Sequence, residues 1–210
     1  MDPIQDTLKL VVSNTTVKIL SFIFLTFFAR ELGPSQMGIF FLFQALFGLL
    51  AIPANLGFGG ALVKRVSEGN DQSDIIASAG LVLLFSTTAV SLGIVAAQDL
   101  INSYLGAPLA VYLALAVALR EPAKLTLNIL KGELRVGETA PLMMARQLTY
   151  LGVGGVLVYF GWGVYALVYG LLLGLVVVTI LGWKKRSIPI GWPSFSHVRS
   201  LADYSKHGIF

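Results

Sequence analysis

The chain has 210 residues, of which 56% are hydrophobic and only 12% charged, with a mean hydropathy of +0.79 and a formal net charge of +4. A soluble domain carries about 25% charged residues, so the composition excludes an ordinary soluble globule and points to a protein embedded in lipid. No cysteine is present, which excludes disulfides and thiolate metal sites.

Six apolar segments follow in chain order, at about residues 9–29, 37–63, 74–97, 108–130, 139–160 and 163–183, and a helical span needs about 20 such residues. The opening "MDPIQDTLKL" carries acids where a secretory signal has a basic region, so the first segment is expected to be a retained span. In the second, Pro53 followed by "NLGFGG" predicts a bend or break near its end. Ile75 to Ala97 is free of charge. Gln147 to Trp183 is also uncharged and too long for one span, so a tight turn is expected at "FGWG", residues 160–163. Segments of this length cannot be membrane strands, and backbone groups in lipid need internal partners. The expected fold is an all-α integral membrane protein, a six-helix transmembrane bundle over residues 1–183. Residues 184–210, "KKRSIPIGWPSFSHVRSLADYSKHGIF", change character. Two prolines, a cap at Ser196 and helical spacing of Phe195, Val198, Leu201 and Tyr204 predict a basic amphipathic segment on the cytoplasmic face. The chain stops where a seventh apolar segment would begin.

Charge gives the orientation. Lys9, Lys64, Arg65, Lys131, Arg135, Lys184, Lys185, Arg186, Arg199 and Lys206 fall on the side of the N-terminus, and only Arg30 lies across the membrane. The positive-inside rule makes the N-terminus cytoplasmic in a multi-pass protein of the cell membrane; the net positive charge is thus an orientation signal and not a nucleic-acid footprint. The sequon Asn14-Thr15-Thr16 lies within the first span and is discarded. The glycine patch "GFGGALVK", residues 57–64, has Leu62 where a dinucleotide loop needs glycine, and lacks the Gly-Lys-Ser/Thr of a phosphate loop. "GLLLG", residues 170–174, fits the small-xxx-small pattern of close helix packing. The only histidines, His197 and His207, are in the terminal segment, and no acid pair, metal cluster or nucleophile with a base can be assembled. Neither an enzyme nor a cofactor or metal is expected.

Four cations stand inside spans: Lys18, Arg120, Lys124 and Arg146. Charges within a bilayer usually face a cavity or a partner. Counted from the cytoplasmic boundary at about 1.5 Å per residue, Lys18 lies roughly 13 Å deep, Arg146 roughly 12 Å, Lys124 roughly 10 Å and Arg120 roughly 16 Å. Arg120, Lys124 and Asn128 follow at i, i+4 and i+8 along one face, Asn14 and Lys18 share another with Ser21 nearby, and Arg146 pairs with Tyr150 on a third. Snorkelling of long stems to the interface is the alternative for Lys124 and Arg146. Glu121 is expected to neutralise part of the cluster through Lys124 or a neighbouring helix, and Pro122 to kink the helix there. If the cations share a cavity, it suits an anion.

"ARELGPSQMGIFFLFQAL", residues 29–46, "LGFGGALVKRVSEG", residues 56–69, and "ILKGELRVGETAP", residues 129–141, resemble the N-terminal half of polysaccharide-transport flippases of the multidrug/oligosaccharidyl-lipid/polysaccharide exporter superfamily. The resemblance implies one lobe of a two-lobed transporter that moves lipid-linked oligosaccharides across the cytoplasmic membrane by alternating access. The substrate would be carried on a polyprenyl phosphate or diphosphate, with membrane lipids and a second six-helix lobe as partners. Arg120, Lys124, Arg146 and Lys18 would receive the phosphate, supported by Asn14, Asn128, Glu121 and Tyr150, with Pro53 and Pro122 as bending points. The sequence departs from that pattern by ending after one lobe. Three other readings stand beside it. A non-transporting membrane subunit or remnant fits the missing lobe. A cation-coupled multidrug exporter of the same superfamily is disfavoured by the scarcity of intramembrane acids, and a membrane glycosyltransferase lacks paired loop carboxylates.

Overall fold

The computed structural model describes residues 3–55, 58–194 and 198; of residues 3–20, only Thr15, Lys18 and Ile19 have their side chains described. Among the described residues seven helices carry the fold: α1 Pro3–Asn55, α2 Phe58–Ser67, α3 Gln72–Ala96, α4 Gln98–Leu105, α5 Ala110–Gly132, α6 Thr139–Tyr159 and α7 Val164–Lys185, with a 3-10 turn at Val136–Glu138. There is no strand among the described residues.

α1 is two helices joined at Gly33, whose φ of 73° and ψ of 171° are non-helical. Glycine tolerates that φ, and Pro34 bars its predecessor from the helical region. The chain reverses there. Ser21 and Phe47 line one cavity, whereas a straight helix would hold them about 39 Å apart. Pro53 is followed by the end of α1 at Asn55 and a new helix from Phe58, the break expected of that stretch. Pro122, expected to kink its helix, lies inside an uninterrupted α5, on its exposed side. The stretch between the apolar segments 74–97 and 108–130 forms α4, and its axis turns by 103° into α5. The turn at 160–163 is present, with Gly161 and Gly163 at φ of 79° and 58°.

By length and composition, Ser21–Asn55, Gln72–Ala96 and Val164–Lys185 are long and apolar enough to cross a membrane, and the bent pair α4 and α5 makes a fourth candidate. The first of these reverses at Gly33 and so supplies two arms, and in α6 Arg146, Gln147, Thr149 and Tyr150 interrupt the apolar run. Large apolar side chains such as Phe22, Ile52, Leu84, Phe85 and Leu92 are exposed on the outside, where only lipid makes them favourable. Tyr159, Phe160 and Trp162 are exposed together at one end, the position of an interfacial aromatic belt. The chain is a multi-pass membrane protein.

The core lies where both arms of α1 meet α5, α6 and α7, around Phe28, Phe40, Phe43, Leu113, Leu151 and Leu167. Small residues set the helix spacing. A Cβ on Gly170 would stand 2.6 Å from the Tyr150 carbonyl oxygen, and one on Gly174 2.8 Å from that of Arg146. The "GLLLG" stretch is therefore the packing motif its pattern predicts.

The basic residues gather at one end, where α2, α5 and α7 finish and α3 and α6 begin. Beyond α7 an extended strap crosses this end. Ser187 and Ile188 donate their backbone N–H groups to Glu133 Oε1 at 2.9 and 3.1 Å. Further along, Gly191 N–H donates to Ser73 O at 3.1 Å, Trp192 N–H to Asp74 Oδ1 at 3.1 Å and Ser194 N–H to Ser78 Oγ at 2.9 Å. Arg135 knits the arrangement by donating to Glu138 at 2.8 Å, Glu133 at 2.8 Å and the Lys185 carbonyl at 2.9 Å. Its hydrogen bonds to Glu138 and Glu133 raise the guanidinium pKa above its ordinary value, and the same bond from Arg135 holds Glu138 below the ordinary glutamate range. The amphipathic helix expected around Phe195 to Tyr204 falls, apart from Val198, outside the described residues.

Candidate functional site: two basic cavities

A cavity of about 420 Å³ opens between the two arms of α1 and the facing sides of α6 and α7. Its polar lining comes from Ser21 and Gln44 on α1 and from Arg146, Gln147 and Tyr150 on α6; Phe28, Phe40 and Phe47 supply much of the apolar wall. Gln147 Nε2 donates to Ser21 Oγ at 2.8 Å, tying α6 to the first arm of α1. The Tyr150 ring lies parallel to Phe40 (6.4 Å, 12°) and edge-on to Phe28 (6.4 Å). These aromatic contacts, together with Gly170 behind the Tyr150 carbonyl, fix α6 in register and so fix where Arg146 emerges.

Arg146 is accessible from the cavity and lies within range of the Arg120 charge. Arg120, on α5, is not itself in the lining but lies against the wall residue Phe47, with its guanidinium carbon 5.1 Å from the centroid of the Phe47 ring and Nη1 at 3.5 Å from the Phe47 carbonyl oxygen. Among the described residues neither arginine has a carboxylate partner. Arg146 in the lining and Arg120 behind Phe47 are like charges without a described carboxylate partner, and a counter-charge in the cavity would relieve their repulsion.

Lys124 and Asn128 do not join them. They line a second depression of about 520 Å³, together with Asn55, Gly59, Ser67, Lys64 and Lys131. The split follows from what α5 packs against. One turn of α5 faces the second arm of α1, which stops at Asn55; the next turns face α2, which starts at Phe58. A stripe that is continuous along α5 thus serves two neighbours. Lys18 is exposed and lines neither cavity, and the side chain of Asn14 is outside the described residues.

Glu121 differs from expectation. It forms no ion pair with Lys124 or with any other described residue. It is only 1% exposed, accepts a hydrogen bond from Asn55 Nδ2 at 2.5 Å through Oε2, and leaves Oε1 without a partner. Being next to Arg120 in sequence, it projects about 100° around the helix from it, toward Asn55 and away from the guanidiniums. Tyr150 lines the same cavity as Arg146. Gln44, Gln147 and Phe47 in the first cavity and Asn55 in the second are lining residues that sequence reasoning missed. Their signal was present: Gln44 and Gln147 are isolated amides in apolar runs, and Asn55 follows the helix-breaking Pro53.

Comparison with known proteins agrees with this architecture. Residues 4–187 match the family described as Polysaccharide biosynthesis protein. Over 209 residues the chain is 48% identical to the probable low-salt glycan biosynthesis flippase Agl15 of Haloferax volcanii, covering all of this chain and 44% of that protein. It is 27% identical over 198 residues to the probable flippase AglR of the same organism, covering 93% of this chain and 41% of the other. The chain thus spans less than half the length of the curated relatives it matches. Among solved structures, a MOP superfamily transporter from Pyrococcus furiosus superposes with a TM-score of 0.74 at 19% identity, over 98% of this chain and 52% of that one. A multidrug resistance MATE family transporter of the same superfamily in its outward-facing conformation gives 0.72 at 19% identity, over 96% and 51%. Sequence and fold together place the resemblance read from "ARELGPSQMG" and its companions on firm ground: the chain belongs to the polysaccharide biosynthesis protein family.

Proposed function

We propose that the chain forms one lobe of a flippase for lipid-linked oligosaccharides, with six spans (the two arms of α1, α3, α5, α6 and α7) and its N-terminus and basic end in the cytoplasm. The single observation that carries this reading is the first cavity, whose lining sets Arg146 beside polar Ser21, Gln44 and Gln147, with Arg120 against the wall residue Phe47 and within range of the Arg146 charge. A phosphate or diphosphate linking sugar to polyprenyl suits it, since guanidinium forks bind phosphate oxygens in pairs. The amides and hydroxyls would meet sugar hydroxyls. Export by alternating access needs a second lobe to close the other side of the cavity, and the basic segment after residue 183 would couple the two at the membrane surface. The relatives named as flippases support this reading, as does the concentration of positive charge at one end. A carrier of cationic drugs in the same cavity is disfavoured, because its described lining contains no carboxylate.

The test is complementation. The chain, fused to the part of Agl15 that lies outside the match, is introduced into cells deleted for their glycan flippase, and surface glycan is measured by mass spectrometry. The wild-type fusion should restore glycan. The double variant Arg120→Gln/Arg146→Gln should abolish it at unchanged protein abundance, and normal glycan from that variant would overturn the proposal.

A further inference from the structure

The second depression is chemically distinct from the first. Three ammonium groups, Lys64, Lys124 and Lys131, line it with Asn55, Asn128 and Ser67, and among the described residues no carboxylate is in its wall. Lys64 and Lys131 are exposed at the ends of α2 and α5, while Lys124 is half-buried on α5. Neither Lys124 nor Lys131 has an ion-pair partner among the described residues. Glu121, the nearest acid along α5, is fully buried behind Asn55, which spends its amide N–H on that carboxyl.

Two features show that the space is built and not a gap between snorkelling side chains. Asn128 is more than nine-tenths buried, its side chain makes no hydrogen bond with any described residue, and it lines the depression. Its amide faces the depression, so water or a ligand held there completes its hydrogen bonding. The opposite wall is bare backbone at Gly59, where a Cβ would stand 3.0 Å from Asn128 Nδ2 and 3.7 Å from Lys124 Cε. The break between α1 and α2 puts a side-chain-free residue where the ligand must pass.

We infer that this depression is a second anion site, separate from the arginine cavity, which binds a phosphate group through Lys64, Lys124, Lys131 and the amide of Asn128. About 520 Å³ admits a phosphate with its ester substituent and accompanying water, since a water takes about 30 Å³. Its place at the basic end of the bundle suits a phosphate at headgroup level, from a phospholipid or from the aqueous phase. The assignment does not depend on transport, and holds whether or not the arginine cavity carries a glycan lipid.

The experiment is native mass spectrometry of the delipidated full chain in detergent, titrated with dioleoyl phosphatidic acid or dioleoyl phosphatidylcholine, with helicity checked by circular dichroism. The wild type should prefer phosphatidic acid at least tenfold. Lys64→Gln/Lys124→Gln/Lys131→Gln should lose that preference, the corresponding arginine variant should keep it, and Gly59→Ala should weaken it at unchanged helicity. Lys184→Gln, which removes an exposed cation of the same end outside the depression, should leave it intact. An undiminished preference in the triple glutamine variant overturns the site. So does an equal loss in Lys184→Gln, which would mean diffuse surface charge. Competition by millimolar inorganic phosphate supports the site and identifies the free ion as a ligand; lipid binding that resists it supports the site and identifies the headgroup.

Discussion

The close approach of α7 to α6 is where a single methyl group should be felt most. A Cβ at Gly174 falls about 0.6 Å short of the 3.4 Å at which ordinary contact begins, and one at Gly170 about 0.8 Å short. In both cases the obstacle is a backbone carbonyl oxygen, of Arg146 and of Tyr150, which cannot rotate aside as a side chain can. The helices must separate or slide. Overpacking of this kind costs about 1–3 kcal/mol, a factor of roughly 5 to 150 in the folded population. Gly152, with nothing within 4 Å of its added Cβ, is the internal control, because alanine there meets no obstacle and lowers the conformational freedom of the unfolded chain. The assay is SDS- or heat-induced unfolding followed by the fluorescence of Trp162, Trp183 and Trp192. Gly170→Ala and Gly174→Ala should unfold earlier than wild type, and Gly152→Ala at the same point or later. Coincident curves for all three variants would refute the claim that α6 and α7 are held apart by the width of a glycine. Because the displaced carbonyls belong to Arg146 and Tyr150, Gly174→Ala should also weaken anion binding in the first cavity while leaving every charge in place.

Other expectations follow from the buried acid and the strap. Asn55→Leu should destabilise the fold by about 1–3 kcal/mol by leaving Glu121 without its hydrogen bond, and Asn55→Leu/Glu121→Leu should recover most of that loss; equal stabilities of the single and double variants would show that the bond contributes nothing. Glu133→Ala removes the acceptor of two strap N–H groups and a partner of Arg135, so limited proteolysis between Arg186 and Ser194 should quicken severalfold, and an unchanged cleavage rate would count against an anchored strap. Since Glu138 is held below the ordinary glutamate value of about 4.3, mainly by its hydrogen bond from Arg135, its contribution is present above that pH and lost as pH falls through the lowered value. Proteolysis by an acid-active protease should be flat from pH 7 to about 5 and accelerate only below about 4; acceleration already near pH 6 would point to another group.

Much of the fold was legible because it is written in local chemistry. Gly33-Pro34, Pro53 and the paired glycines of "FGWG" each impose a break that no neighbour can undo, and "GLLLG" declares a close approach whichever helix it meets. The cations were legible too, as expensive residues in apolar runs. Their grouping was not. Spacing on α5 puts Arg120, Lys124 and Asn128 on one face, but only the contacts of α5 reveal that this face meets α1 at one level and α2 at another. The partner of Glu121 was hidden for the same reason, since Asn55 lies 66 residues away in the chain and nothing in the local pattern couples them. α4 escaped notice because "QDLINSYL" has the polarity of a loop, and only its docking against α5 shows that it is a helix.

The strap gives the lobe a mechanical property. Its bonds to Ser73, Asp74 and Ser78 at the start of α3 lie beyond those to Glu133, so tension applied to the chain after Ser194 reaches α3 first and the end of α7 last. The point of attachment is therefore at the foot of α3, so a pull through that segment loads α3 before the last turn of α7.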